Sequence, residues 1–452
     1  MIKKSLFMKT RNMVKNFILG WLLLQSASGL FAQPIDSTSS IQTINEFINS
    51  TKSEKKRIEK KILNQNLDFN FVYKHLKQGK QYGSNCKTGF IEYTFKTSDG
   101  VEHPNLIFIP YNYNPQKKYQ VKFVLHGAIS SPDKNQILKS VNRTDTSWNA
   151  VNKICLYPSA WDQSMWWDNG QFENIVNLLE FVKETYNVDE NDIYLYGISD
   201  GATGLYYLSN VFSTPFSCFL PFIGNMETLP LFTNKQLYLK NYQGLSFFIV
   251  NCRKDEIFDI RFIIPTIKEL KKVAKEVNFF IVDSSKHRLN WFPILKDTIN
   301  YFINNHKRNP FPDQIYFATE QPDSFRRKFW VKIDRIGKTK SGSIEDLNKI
   351  FINQDSVILF SRKKFFGQIE VNKIDNTVKV ITQNVKKYSL LLSPDHFDVS
   401  KPIQVYTNGI LSYEGVINNN IKTLLKYNIE DNDRTMLFCS ELKITVGKPF
   451  KK

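Results

Sequence analysis

Eight short apolar or aromatic runs between residues 89 and 283 constrain the fold of this chain more than any other feature. They read GFIEYTF, NLIFIPY, YQVKFVLHG, KICLYP, DIYLYG, SCFLPFIG, LSFFIVN and VNFFIVD. Runs of this length are typical of buried strands, and the later ones are separated by helical stretches. One such stretch, residues 171–186, has its apolar side chains on a single face. The alternation predicts an α/β fold with a mostly parallel eight-stranded sheet and flanking helices.

The alternation of strands and helices ends at NPFPDQ, residues 309–314. Short strand-like segments follow, namely KFWVKID, GQIEV, TVKVIT, YSLLL, PIQVYT, ILSYEG and ELKITV, and Asn408-Gly409 predicts a two-residue hairpin. Before the first strand, the spacing of apolar residues predicts two short helices. A chain of 452 residues is long enough for a large core and a second domain. We therefore predict an N-terminal helical segment (33–88), an α/β domain (89–312) and a C-terminal β-rich accessory domain (313–452).

The first 32 residues combine a basic start, a short apolar run and a small residue before a polar stretch. This pattern is typical of a secretory signal peptide, with cleavage expected after Ala32. The prediction is an exported protein, periplasmic or secreted, without stable membrane insertion. An uncleaved membrane anchor is the alternative, which Gln25, Ser26 and Ser28 disfavour because they interrupt the apolar run.

The charge and the cysteines exclude several classes of partner. The formal net charge is +18, of which about +13 remains once the predicted signal peptide is removed. Because the lysines are dispersed and no nucleic-acid-binding motif is present, we expect no nucleic-acid partner. The five cysteines are scattered without a CxxC pair, so neither a disulfide framework nor a metal site is indicated. The sequence indicates no oligomeric state.

The fifth run leads into GISDG, residues 197–201, and places Ser199 between two glycines. In this pattern a strand turns sharply into a helix and presents the serine hydroxyl at the tip of the turn. The alternative is a glycine-rich turn with an incidental serine. A serine becomes a nucleophile only beside a base, and that base needs a carboxylate to orient it.

Strand order selects the partners of Ser199. Of the six histidines, only His287 follows an apolar strand downstream of the serine; the others are His75, His103, His126, His306 and His396. The strand in between is followed by Asp255, which we predict as the acid, with Glu256 and Asp259 in reserve. The predicted catalytic residues are therefore Ser199, Asp255 and His287.

An oxyanion requires fixed N–H donors. The backbone N–H of Asp200 is one candidate, and that of Gly127 or Ala128, in the loop after the third strand, is the other. We interpret His126 as a structural residue that orients this loop. Trp161, Trp166 and Trp167 are candidates for the wall of a substrate pocket, although aromatic packing within a long loop is at least as strongly indicated. Trp291, four residues after His287, is a candidate to shield the same pocket.

The residues HG after the third strand, GISDG after the fifth, an Asp after the seventh and a His after the eighth resemble the α/β-hydrolase superfamily. Within it, residues 89 to 306 are most similar to secreted bacterial esterases of the polyhydroxyalkanoate depolymerase and feruloyl esterase type. Prolyl oligopeptidase-like hydrolases come next. The resemblance implies a serine carboxylic ester hydrolase without a metal or organic cofactor. The segment SSKHRLNW departs from the family, in which a Gly-Gly pair often precedes the histidine.

Three functions remain open from the sequence. The first is a serine esterase acting on an ester-bearing small molecule or polymer. The second is a prolyl oligopeptidase-like peptidase, and the third is a non-catalytic binding protein on a hydrolase fold. We expect the C-terminal domain to contribute nothing to the chemistry, since His396 lies in a polar turn. Deletion after Pro312 should then leave ester turnover within about tenfold, provided that the remainder folds.

Overall fold

The computed structural model describes residues 38–233, 235–338, 349–352, 355–358 and 365–450. The predicted signal peptide, residues 1–32, lies outside the described residues. Within the described ranges, no helix has both the length and the apolar character needed to cross a membrane.

The eight predicted strands form one sheet. They are β1 (Gly89–Lys96), β2 (Glu102–Ile109), β3 (Tyr119–Leu125), β4 (Ile154–Pro158), β5 (Val188–Ile198), β6 (Phe219–Phe222), β7 (Ser246–Cys252) and β8 (Glu276–Val282). Their order in the sheet is β1-β2-β4-β3-β5-β6-β7-β8. β2 runs antiparallel to both of its neighbours, whereas all pairs from β4 to β8 are parallel. This strand order and the flanking helices define the α/β-hydrolase fold, as predicted.

Helices connect the strands and cover both faces of the sheet. They are α4 (Gln136–Ser140), α5 (Asn169–Thr185), α6 (Asp200–Val211), α7 (Thr228–Phe232), α8 (Ile260–Val273) and α9 (Phe292–Asn305), with 3-10 turns at Thr146–Ala150 and Leu239–Tyr242. α6 is the central helix, and its residues from Gly201 to Asn210 are all buried. Its largely apolar composition fits this position, because a helix that is buried all round has no need of a polar face.

The parallel pairing brings the carboxyl ends of the central strands to one edge of the sheet. Ile198 at the end of β5 lies opposite Phe222 at the end of β6. Cys252 at the end of β7 lies opposite Val282 at the end of β8. The loops that follow these strands therefore emerge side by side, which is where ligands bind in open α/β sheets.

The described residues of the C-terminal region form two larger sheets and one helix. Its elements are β9 (Gln314–Thr319), β10 (Arg327–Lys328), β11 (Val331–Ile336), β12 (Lys349–Ile352), β13 (Asp355–Ile358), β14 (Gly367–Ile374), β15 (Thr377–Gln383), β16 (Val385–Leu392), β17 (Ile403–Thr407), β18 (Ile410–Gly415), α10 (Ile421–Asp431) and β19 (Ser440–Thr445). The sheet orders are β18-β17-β15-β14-β9 and β10-β11-β16-β19, and β12 pairs with β13. Asn408 and Gly409 both have positive φ, 50° and 81°, as a two-residue hairpin turn requires.

The N-terminal segment differs from the prediction. It forms three helices and not two: α1 (Thr38–Asn49), α2 (Lys52–Asn64) and α3 (Phe69–Gln78). Their apolar faces share one buried cluster with Leu424, Leu425 and Ile429 of α10. Side chains far apart in sequence thus complete a common core, which periodicity within a single segment cannot reveal.

Buried polar contacts join the C-terminal region to the α/β part. Lys328 is 2% exposed, and its ammonium donates to the carbonyl oxygens of Asn241 at 2.6 Å and Gln243 at 3.3 Å. Arg308 and Asp433 form an ion pair at 2.8 Å, with side chains that are 1% and 3% exposed. The C-terminal region is therefore tightly docked on the α/β part.

The interpretation of His396 as a solvated turn residue is wrong. Its side chain is 7% exposed and stacks on Phe311, with ring centroids 5.3 Å apart. Trp330 and Phe397 also contact the ring, with centroids at 5.2 Å and 4.9 Å. The local sequence is polar, but residues from distant segments bury this histidine.

Candidate active site

Ser199 lies at a strained turn between β5 and α6. Its φ is 54° and its ψ is −119°, a conformation that costs a non-glycine residue roughly 1–3 kcal/mol. A Cβ on Gly197 would come within 2.4 Å of the Gly201 carbonyl oxygen, and one on Gly201 within 2.0 Å of the Leu125 carbonyl oxygen. Only glycine fits at both positions, so the sequence GISDG is required for the sharp turn that exposes the hydroxyl.

The loops after β7 and β8 bring an acid and a histidine to this serine. The distance from Ser199 Oγ to His287 Nε2 is 2.9 Å, and that from His287 Nδ1 to Asp255 Oδ2 is 2.8 Å. Because a carboxylate only accepts hydrogen bonds, Nδ1 carries the proton and Nε2 is free to accept the one on Ser199 Oγ. The structure thus brings together the three residues predicted from strand order.

The surroundings of Asp255 keep its carboxylate charged. Its side chain is fully buried, and its Oδ1 accepts the backbone N–H groups of Ile257 and Phe258, both at 2.9 Å. Burial alone would raise the pKa of Asp255, but the hydrogen bonds from His287, Phe258 and Ile257 outweigh it and hold the pKa below its ordinary value. A carboxylate of this kind orients the imidazole and stabilises its protonated form.

The two reserve acids have other contacts. Glu256 forms an exposed ion pair with Lys286 at 2.5 Å, which links the loop after β7 to the loop after β8. Asp259 caps α8 by accepting the N–H of Arg261 at 2.8 Å. Asp255 is therefore the acid that the fold directs toward His287.

The loop after β3 passes directly beside the serine. A Cβ on Gly127 would lie 2.8 Å from the Ser199 Cβ and 3.1 Å from the Ile198 carbonyl oxygen, so the chain can approach this closely only with glycine. The next residue, Ala128, has φ of 56°. Gly127 and Ala128 therefore lie in a loop next to the serine, and Asp200 begins α6 directly after it.

His126 holds this loop with both ring nitrogens. Nε2 accepts the backbone N–H of Ala160 at 3.0 Å, and Nδ1 lies 2.8 Å from the Gly127 carbonyl oxygen, to which it donates. The Trp166 indole N–H donates to the His126 carbonyl oxygen at 2.9 Å. Burial lowers the pKa of His126, which favours the neutral ring that this pattern needs. The geometry agrees with its interpretation as an orienting residue.

The four tryptophans predicted as candidates for a pocket wall are buried. Trp166, Trp291, Trp161 and Trp167 are 0%, 2%, 5% and 8% exposed. Trp166 packs closely on α6, since a Cβ on Gly204 of this helix would lie 2.2 Å from the Cβ of Trp166. Trp291 packs edge-on against Phe222, with centroids 5.1 Å apart. These contacts favour the alternative of aromatic packing, since such side chains offer little surface to a ligand.

One contact of the site was missed at the sequence level. The Asp200 carboxylate Oδ2 accepts the backbone N–H of Ile129 at 3.1 Å. The sequence analysis assigned Asp200 only a backbone donor. An acid directly after the serine, at the first position of a helix, is a signal that could have suggested a side-chain acceptor here. Within the described ranges, no three His, Cys, Asp or Glu side chains converge as ligands for a metal ion.

Comparison with known proteins gives structural similarity only. No known protein family matches the sequence, and no match was found among curated proteins. A thermostable esterase shares 20% sequence identity at a TM-score of 0.41. The match covers 48% of this chain and 63% of the esterase, so this chain spans less than two thirds of that protein. A feruloyl esterase module from Clostridium thermocellum shares 13% identity at a TM-score of 0.39, over 49% and 89% of the two chains. The acylaminoacyl peptidase of Pyrococcus horikoshii shares 16% sequence identity at a TM-score of 0.39. The match covers 50% of this chain and 43% of the peptidase.

Proposed function

We propose that this protein is an exported serine hydrolase that cleaves carboxylic esters through an acyl-enzyme. The observation that carries the proposal is the continuous hydrogen-bonded row from Ser199 through His287 to Asp255, with distances of 2.9 Å and 2.8 Å. The strained backbone at Ser199 supports it, because strain of this kind clusters at functional positions. Export rests on the first 32 residues of the sequence.

The geometry suits a two-step reaction. Ser199 Oγ attacks the ester carbonyl carbon while His287 Nε2 takes the hydroxyl proton, giving a tetrahedral intermediate. When the intermediate collapses, the C–O bond to the alcohol breaks and the alcohol leaves with the proton from His287. Water then attacks the acyl-enzyme, again losing a proton to His287, and the acid is released as Ser199 regains its hydrogen. Asp255 stays ionised throughout.

Charge on the intermediate would be stabilised by backbone donors. The candidate donors are the N–H of Asp200, the residue after Ser199, and that of Gly127 or Ala128, in the loop that passes beside the serine. Donors fixed before the reaction stabilise an oxyanion without further rearrangement, and each is commonly worth about a hundredfold to a thousandfold in kcat. No cofactor takes part in this scheme.

The test measures hydrolysis of p-nitrophenyl acetate and butyrate beside peptidyl p-nitroanilides. We expect the wild-type protein to cleave the esters faster than the anilides. Ser199→Ala and His287→Ala should each lower kcat at least about a thousandfold, and Asp255→Asn about a hundredfold or more. Ser412→Ala and His75→Ala are matched controls, since both residues lie far from the site in sequence and form side-chain hydrogen bonds with their own segments, at Ile410 and Phe71.

Other outcomes would overturn the proposal. Faster cleavage of the anilides would favour the peptidase. Undiminished ester turnover by Ser199→Ala would exclude this serine as the nucleophile. A folded wild-type protein that cleaves neither type of substrate would favour a binding protein.

A further inference from the structure

We propose that the side chain of Asp200 is a positioning residue that fixes the oxyanion-binding loop in its active shape. The inference rests on the proposed function and deepens it. In this arrangement, one residue acts twice: its backbone N–H is one oxyanion donor, and its carboxylate sets the place of the other donor through the N–H of Ile129.

The loop needs such a contact because its backbone is unfavourable by itself. Ala128 has φ of 56°, in the left-handed region that alanine avoids. Nothing in the local sequence favours that conformation, so contacts from elsewhere must hold it. The residue immediately after Ala128 is Ile129, and the Asp200 carboxylate accepts its N–H at 3.1 Å.

The loop is held from two directions. On its amino-terminal side, Trp166 donates to the carbonyl oxygen of His126, and the His126 ring contacts the Gly127 carbonyl oxygen. On its carboxyl-terminal side, the Asp200 carboxylate accepts the N–H of Ile129, and two residues further on the Asp162 N–H donates to the Ser131 carbonyl oxygen at 3.2 Å. The first set of contacts joins the loop to the segment after β4, whereas the Asp200 contact joins it to the helix that begins directly after Ser199.

This difference gives the Asp200 contact a specific effect on the chemistry. Besides the close packing of Gly127 on Ser199 and of Gly201 on the end of β3, the Asp200 contact is a direct hydrogen bond between the loop and α6, so it helps to fix the distance between the loop donor and the donor beside the nucleophile. A displacement of about 1 Å at reacting groups can cost about a hundredfold in rate. Because the donors act on charge that develops in the transition state, loosening the loop should lower kcat and leave KM nearly unchanged.

The experiment compares Asp200→Ala, Asp200→Ser and Asp200→Asn in the full-length protein. Asn keeps a side-chain oxygen for the Ile129 N–H, whereas Ala has none and the Ser hydroxyl is too short to reach it. The readouts are kcat and KM on p-nitrophenyl butyrate, and the inhibition constant of butylboronic acid, which forms a tetrahedral anion on an active serine. Asp145→Ala is the matched control, since Asp145 also accepts a backbone N–H, that of Ser147 at 2.8 Å.

We expect Asp200→Ala and Asp200→Ser to lower kcat by about tenfold to a hundredfold. The boronic acid should lose affinity by a similar factor, while KM changes by less than about threefold. Asp200→Asn should stay within about threefold of wild type in all three quantities, as should Asp145→Ala. Thermal unfolding of each variant identifies any that fails to fold, and the folded variants among the three decide the outcome.

Two results would overturn the inference. One is a folded Ala or Ser variant whose kcat and boronic acid affinity equal those of wild type. The other is an Asn variant as impaired as the Ala variant, since the acceptor oxygen would then be irrelevant. A wild-type protein without ester hydrolysis would instead refute the proposed function.

Discussion

His287 and His396 both lie in loops that follow a strand, the first in the eight-stranded sheet and the second in the C-terminal region. The His287 side chain is 18% exposed, and its two nitrogens contact Ser199 and Asp255. The His396 side chain is 7% exposed among aromatic rings, and its Nε2 has no hydrogen-bond partner among the described residues. The same residue type is thus linked to reactive groups in one region and to a packed core in the other.

The difference follows from strand direction. In the parallel part of the large sheet, β5, β7 and β8 all end at one edge, so the loops carrying the serine, the acid and the histidine meet there. In the C-terminal sheets, neighbouring strands are antiparallel except for β15 and β17, so their successive ends alternate between two edges. A parallel sheet therefore brings side chains from distant loops together at one edge, whereas an antiparallel sheet divides successive loops between two opposite edges.

The largest expected effect comes from deleting everything after Pro312. The deletion removes Asp433 from its buried ion pair with Arg308. It also removes α10 from the apolar cluster that this helix shares with α1–α3. We therefore expect the truncated chain to be largely unfolded, as measured by circular dichroism and limited proteolysis, and residues 313–452 supplied as a separate chain to restore folding. A soluble truncate with a cooperative unfolding transition and ester turnover within about tenfold of wild type would show that the two regions are independent.

The next effect concerns the interface charge pair alone. Asp433→Asn leaves the Arg308 guanidinium buried without its counter-charge, which typically costs about 3–5 kcal/mol. Urea denaturation measures the free energy of unfolding. The matched control is Glu269→Gln, which breaks a more exposed pair with Lys272 and should cost less than about 1 kcal/mol. Equal losses for the two variants would mean that the interface pair contributes no more than a surface contact.

A pH effect is expected in the α/β part at Glu227. Burial raises the pKa of this carboxyl to about 7, although hydrogen bonds from Thr266 and Asn225 oppose the shift. Between pH of about 4.5 and 7 the folded protein binds one proton more than the unfolded chain, so stability falls as pH rises. Relative to Glu227→Gln, the wild type should lose up to about 3 kcal/mol over this range. If the free energy of unfolding changed with pH in the same way in both proteins, the raised pKa of Glu227 would be contradicted.

The C-terminal region should show an effect of similar size and opposite sign at His396. Burial and nearby Lys373 together lower the pKa of this ring to about 4, although Asp313 opposes the shift. Below pH of about 6.5 the unfolded chain binds the additional proton, so stability falls as pH falls toward 4. His396→Phe should reduce this loss of stability at low pH. Glu227→Gln should make the loss larger between pH of about 4.5 and 6.5, because it removes the opposing contribution of Glu227. If His396→Phe loses as much stability as the wild type between pH of about 6.5 and 4, other groups cause the loss.

The sequence predicted those features that depend on local patterns and strand order. Eight apolar runs correspond to eight strands, and the positions of Ser199, Asp255 and His287 after three of them placed these residues at one edge. It did not predict the burial of His396, and it left open whether the tryptophans pack or line a pocket, because the neighbours of these residues come from distant segments. The third N-terminal helix and the packing of all three on α10 were missed for the same reason. The Asp200–Ile129 contact depends on how closely two loops approach, which no single segment encodes.

The central claim is that Ser199 is a nucleophile activated by His287, and a fluorophosphonate probe tests it most directly. Intact-mass measurement followed by peptide mapping reports whether the probe forms a covalent bond and on which residue. The account predicts one adduct on Ser199 in the wild type, none in Ser199→Ala, and labelling slowed at least about a hundredfold in His287→Ala. A folded wild-type protein that forms no adduct, or a Ser199→Ala protein labelled as fast as wild type, would contradict it.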